Sequence, residues 1–175
     1  MIGAAGSRHI HKRGAVETIS DLLETIFAAE LVAPSRCLWI VSPWISNISI
    51  LDNSAHAYLS VEPSWARASV RLAPVLHRLM DDGCEVVVAT RPIAVNDAFL
   101  AQLEKGRDPM HRLTVHTSEN LHTKGILGDR FYLSGSMNFT FNGIEVNEEY
   151  LHFSTEDATV AENQLEYRRW WGGAG

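Results

Sequence analysis

An α/β fold, one mixed and mainly parallel sheet with helices on both faces, is predicted by three observations. Short apolar runs of strand length alternate with amphipathic runs of helical spacing over the first two thirds of the chain. The last third changes to three short strand-like runs separated by turns. The whole is 175 residues, 46% hydrophobic and 21% charged, enough for one domain with a sizeable core.

Residues 1–13 carry glycine and charge with little apolar content and read as a mobile arm, so the single domain spans 14–175. From Ala15 to about Leu31, Val16, Ile19, Leu22, Leu23, Ile26 and Phe27 repeat at helical spacing. CLWIVS (37–42) is a continuous apolar run stopped by Pro43, the pattern of a strand buried on both faces. Residues 47–71 show no dominant period and receive no finer assignment. Pro74 suits the first turn of a helix through Met80, and Gly83 suits its left-handed cap. CEVVVAT (84–90) is a second strand, Asn96 and Asp97 open a further helix ending near Gly106, and LTVHT (113–117) is a third strand. LHTKGIL, RFYLS and EEYLHF follow as strand-like runs, and Ser154, Glu156 and Asp157 cap a final helix toward Trp170.

Charge and cysteine content exclude several functions. Fifteen basic against 21 acidic residues give −6, so no broad basic face can be assumed and any grip on phosphate is expected to be local. Neither a signal peptide nor a membrane-spanning run is present, which sets the cytoplasm as the expected compartment and argues against a membrane partner. Cys37 and Cys84 head separate apolar runs and read as reduced core thiols. His9 and His11 lack further ligands at metal spacing and read as part of a solvated tail, so no metal or other cofactor is expected.

The chemistry concentrates between Leu121 and Tyr150. His122 and Lys124, two apart in a strand, share a face and place an imidazole beside a fixed positive charge, a pair suited to phosphate. Ser136 and Asn138, directly after Gly135, can offer a hydroxyl and an amide to the same anion. Glu149 can accept a hydrogen bond from a histidine and orient it, with Glu148 or a solvated edge as the bland alternative. Trp44 and Arg91 follow predicted parallel strands, where α/β sheets bind ligands; they either wall a substrate groove or simply lie where prolines end the strands. Trp170 and Trp171 read as core or as a dimer contact rather than as a base-stacking platform.

These residues resemble the phospholipase D superfamily, whose signature is HxK, four residues, Asp, then a GSxN turn: His122, Lys124, Asp129, Gly135, Ser136 and Asn138. The resemblance extends through Phe139 and Thr140 to Asn147 and Glu149, the pattern of the family's small bacterial nucleases. Half a dozen positions at fixed spacing, each matched by chance at roughly one in twenty, set it above accident. Two departures stand out: five residues rather than six separate Asp129 from Gly135, and Gly125 occupies a position usually bulky and apolar, so the hairpin is shortened or bulged. Asp129 is expected to stabilise the turn or pair with a basic group.

The resemblance implies a metal-independent phosphodiesterase, here a DNA nuclease. One histidine attacks phosphorus to form a phosphohistidine while a second protonates the leaving oxygen. The chain carries one HxK motif, so the resemblance implies a homodimer with the site on the two-fold axis, where Lys124, Asn138 and Ser136 hold the non-bridging oxygens. The LWIVSPWIS stretch and the closing segment also look similar to a phospholipase D-like protein of bacterial deazapurine DNA-modification clusters, which implies partners in DNA modification, restriction or phage defence. The alternative from another class is a catalytically weak DNA- or partner-binding subunit of a larger DNA-processing complex.

Overall fold

The computed structural model describes residues 6–11, 16–65, 68–105 and 107–173. In chain order the elements are β1 (Ser7–His11), α1 (Val16–Val32), β2 (Cys37–Val41), β3 (Ser49–Asp52), β4 (Ser69–Arg71), α2 (Leu72–Asp81), β5 (Glu85–Thr90), α3 (Ala94–Glu104), β6 (Leu113–Thr117), β7 (Gly125–Leu127), β8 (Tyr132–Gly135), β9 (Tyr150–Ser154) and α4 (Asp157–Trp171), with a five-residue π-helical turn at Asn142–Val146.

Seven strands form one sheet in the order β1-β9-β8-β7-β2-β5-β6, and β3 pairs with β4 outside it. The sheet is mixed, as expected, but parallel pairing is confined to β2-β5-β6. The pairings β1-β9, β9-β8, β8-β7 and β7-β2 are antiparallel. Connection length decides this. Parallel neighbours need a crossover of a dozen or more residues, which the segments carrying α2 and α3 provide, whereas the β7-β8 link closes through Gly128 N–H to Phe131 O at 3.1 Å and permits only a hairpin.

Alternation along the central strands creates two cores. Leu38, Ile40, Val86, Val88, Ile126 and Leu133 face α1, α2 and α3. Trp39, Val41, Val87, Ala89 and Leu127 face the other way and pack under Val160, Tyr167 and Trp171 of α4. Helices therefore cover both faces. Cys37 and Cys84 are buried and free in different cores, and burial pushes the Cys84 thiol up to about 12. Among the described residues, no helix is long and apolar enough to cross a membrane.

Several expectations are corrected. Residues 7–11, assigned to a mobile arm, form edge strand β1, paired residue for residue with β9, while Ile10 packs against the first core. The sequence hides this because only one side chain in Arg8-His9-Ile10-His11 is apolar, as suits an exposed sheet edge. The opaque 47–71 stretch contains β3 and β4. Asn96 sits inside α3, fully buried, instead of opening it. At α4 the preceding residue, Glu156, makes no side-chain cap bond; instead its N–H donates to Ser154 Oγ at 3.2 Å. The expected helix stop at Gly106 and the remainder of the arm lie outside the described residues.

Candidate active site

β7 is short: it begins at Gly125, so His122 and Lys124 occupy an extended lead-in rather than the strand itself. Gly125 explains the missing apolar side chain there, since a Cβ would lie 2.6 Å from Leu133 O and 2.8 Å from the Tyr167 hydroxyl oxygen. The β7-β8 hairpin is short but not bulged, pairing Gly125 with Ser134 and Leu127 with Tyr132 without a register shift. Gly135 ends β8 at φ 155°, and a Cβ on it would sit 2.0 Å from Tyr150 O. That close approach sets Ser136 beside the start of β9, with Ser136 N–H donating to Tyr150 O at 3.0 Å.

Around this corner the expected residues converge. The imidazole of His122 is exposed, and Lys124 Nζ donates to His122 O at 2.8 Å. Partial burial and the nearby Arg91 guanidinium hold the Lys124 pKa below the usual lysine range, with Glu149 opposing the shift. Arg91 therefore belongs to the same electrostatic neighbourhood. Its Nε donates to Leu121 O at 2.8 Å, fastening the segment just before His122, and its guanidinium lies 5.0 Å from the centre of the Trp44 ring.

Glu149 is buried, and its carboxylate accepts from Ser136 Oγ–H and, at 3.4 Å, from Asn147 Nδ2. Ser136 Oγ in turn accepts from Tyr150 N–H at 3.0 Å. Within one chain, then, Glu149 binds a serine and an asparagine where a histidine partner was expected, and the Ser136 hydroxyl proton is already engaged. Asn138 Oδ1 lies 3.4 Å from Ser42 Oγ, while its amide NH2 has no partner among the described residues. Donors available to an anion are thus Asn138 Nδ2, Lys124 Nζ and the outer nitrogens of Arg91.

Asp129 lies at the other end of β7. Its Oδ2 accepts from Arg36 Nε at 3.0 Å and from Arg36 N–H at 3.1 Å, and its own N–H donates to Ser35 Oγ. This fastens the hairpin turn to the start of β2.

Two contributors escaped the sequence reading. Asn96 braces both substrate-side loops: its Oδ1 accepts from Ile45 N–H at 2.8 Å, and its Nδ2 donates to Pro43 O at 2.9 Å and Arg91 O at 2.8 Å. Phe141, 65% exposed, lines with Trp44, Val95, Asn138 and Thr140 an open cavity of about 410 Å³. An exposed aromatic directly after the NFT tripeptide was the available signal. A separate apolar cavity of about 480 Å³ between α1 and the β1-β9 edge contains none of the predicted site residues. No group of three or more potential metal ligands occurs among the described residues.

No family model matches the sequence, and no curated protein matches it. Solved structures do. NucT from Helicobacter pylori superposes with a TM-score of 0.64 at 12% identity, covering 95% of both chains. Nuc from Salmonella typhimurium, described as a phospholipase D family member, gives 0.61 at 12% identity over 95% of this chain and 93% of that one. A polyphosphate kinase from Porphyromonas gingivalis gives 0.63 at 13% identity, with 93% of this chain matching 25% of the kinase. At such identities the likeness establishes architecture: the chain has the fold of a phospholipase D family member along nearly its whole length.

Proposed function

We propose that this chain is a metal-independent phosphodiesterase of the phospholipase D type, acting on DNA through a phosphohistidine in a site shared by two copies. The observation that carries the reading is the gathering of His122, Lys124, Arg91, Asn138 and the Ser136–Glu149 pair at one corner of the sheet. The fold shared with NucT and Nuc supports it.

In this scheme one His122 attacks phosphorus while the protonated His122 of the second copy gives its proton to the leaving oxygen. The phosphorus–oxygen bond breaks as the phosphorus–nitrogen bond forms. The second imidazole, now neutral, takes a proton from water, whose oxygen displaces the first histidine. Lys124 and Asn138 from both copies hold the non-bridging oxygens and stabilise the charge that develops on them. Arg91 meets a neighbouring phosphate, Trp44 and Phe141 offer ring faces to a base, and Ser136 positions Glu149. In this reading the activity serves DNA modification, restriction or phage defence beside partner proteins of such a system, a role supported by the resemblance of the LWIVSPWIS stretch and closing segment to a phospholipase D-like protein of deazapurine DNA-modification clusters.

The test is cleavage of a bis-aryl phosphodiester and of single- and double-stranded DNA in EDTA, after oligomeric state is measured. His122→Ala should lose roughly a thousandfold or more in turnover. Equal cleavage by wild type and variant removes the histidine mechanism. A second reading, a catalytically weak DNA- or partner-binding subunit, draws on the engaged Ser136 hydroxyl and, for delivery of substrate by a partner, on the −6 charge that weakens unaided binding to DNA. It predicts no cleavage by a confirmed dimer and DNA binding that survives His122→Ala.

A further inference from the structure

On the α4 face, beside the candidate site, lies a further cavity of about 250 Å³ whose wall includes Thr90, His116, Ser118, Leu121, Trp170 and Trp171. Two of these adjoin site residues in sequence: Thr90 precedes Arg91, and Leu121 precedes His122. The wall is held firmly. Thr90 Oγ1 donates to Ser42 O at 2.8 Å, Ser118 N–H to Thr90 O at 3.0 Å, Leu121 N–H to Ser118 O at 3.2 Å, and Arg91 Nε to Leu121 O at 2.8 Å. A ligand would meet a preformed surface.

Three features define what fits. Trp170 is 53% exposed, and its neighbour Trp171 meets it nearly edge-on, with ring centres 5.4 Å apart and planes at 79°. Trp171 is buried against Tyr167 and forms the floor. His116 stands opposite Ala89 in the β5-β6 register, and its Nε2 is shielded from solvent without a hydrogen-bond partner. A buried ring nitrogen left unpaired costs free energy, and a turn of the imidazole into the cavity would let a ligand's donor or acceptor recover it. No acidic, lysine or arginine side chain lines the cavity among the described residues, so an ionic group has nothing to pair with there. The volume falls below the roughly 300–1,000 Å³ of pockets for drug-sized ligands and suits a single ring system.

We infer that this cavity is a nucleobase subsite, taking the base on one side of the phosphate held at His122 and Lys124, with Trp170 stacking on its face and His116 Nε2 reading its edge. The inference rests on the phosphodiesterase reading for its placement and adds a specificity site to it. Trp44 and Phe141 line the separate open cavity at Asn138, so each of the two cavities offers aromatic rings. A base can reach His116 only when unpaired, so the substrate class is single-stranded or frayed DNA.

Calorimetric titration of the full chain with the four deoxynucleoside monophosphates, with deoxyribose 5-phosphate and with the phosphate-free deoxynucleosides tests it. At least one monophosphate should bind about tenfold more tightly than the baseless sugar phosphate. That gap should shrink to about twofold or less in Trp170→Ala and His116→Ala, and Trp170→Phe should restore most of it. Trp170 is solvent-facing and β6 is an edge strand; His116→Gln, which keeps a hydrogen-bonding group, provides a second variant if His116→Ala fails to fold. No gap in wild type, or a gap unchanged in both variants, overturns the subsite. So does a Trp170→Ala protein whose only change is its sedimentation, which would make the indole a contact between copies. Deoxynucleoside binding that persists in His122→Ala keeps the subsite standing even if cleavage is never observed, separating its fate from that of the proposed reaction.

Discussion

Lys124 is partly withdrawn from water beside Arg91, and both effects disfavour its charged form. Its folded pKa lies below that of an unfolded lysine, so protonated Lys124 costs stability below that depressed value. The cost disappears as pH rises from there toward the ordinary lysine pKa, because the folded chain releases the proton first. A bound phosphate reverses the preference by supplying opposite charge. Phosphate affinity, measured by calorimetry across the alkaline range, should therefore start to fall at lower pH in wild type than in Lys124→Arg, whose guanidinium stays charged. Equal profiles would remove Lys124 from the anion site. The glycines allow a second comparison at this scale. Gly135→Ala forces a Cβ into Tyr150 O and should cost at least about 2 kcal/mol in denaturant unfolding. Gly83→Ala, at φ 89° with open space around it, should cost only about 1 kcal/mol. The HxK and GSxN residues were legible because short spacing sets them at the ends of adjacent strands, just before β7 and just after β8. The hydrogen bonds of Ser136 and Glu149 were not, because β9 brings them together from thirteen positions apart.

Between elements, one asparagine fixes the substrate side of the site. α3 was readable from its spacing, yet the reason for Asn96 was not: a polar residue near a helix start reads as a cap, and only the fold shows its three bonds to the loops after β2 and β5. Asn96→Ala leaves Ile45 N–H, Pro43 O and Arg91 O without that partner. It should destabilise the protein by about 2–4 kcal/mol in chemical denaturation and loosen Trp44 and Arg91 together. The same variant should weaken phosphate binding more than Asp129→Ala, since Asp129 acts at the opposite end of β7 through Arg36. A larger loss from Asp129→Ala would mean that the hairpin turn, not the loop brace, governs the site. Residues 47–71 were opaque for a related reason: β3 and β4 are three or four residues long and find stability in each other and in α1, leaving no period of their own to detect.

For the whole molecule, the alternation of apolar runs predicted a two-faced sheet correctly, and the balance of parallel to antiparallel pairing followed from connection lengths that the turns around residues 128–131 already encoded. The shared site carries its own signature. If turnover needs a histidine from each copy, diluting wild type into excess His122→Ala at fixed total protein should lower activity with the square of the wild-type fraction, once subunits have exchanged. A linear decline would mean that each chain works alone. Size alone will not settle that question, for a reason that lies in β1. This strand caps one edge of the sheet through its ladder with β9 and the packing of Ile10, and Tyr150 at the start of β9 touches both Ser136 and, through its hydroxyl, His9. A neighbour's β1 offers β9 the same ladder, so strands traded at this edge would give a pair of the same mass as one joined at the histidines. Crosslinking between cysteines introduced at His122 and at Arg8 would tell the productive embrace from the merely topological one.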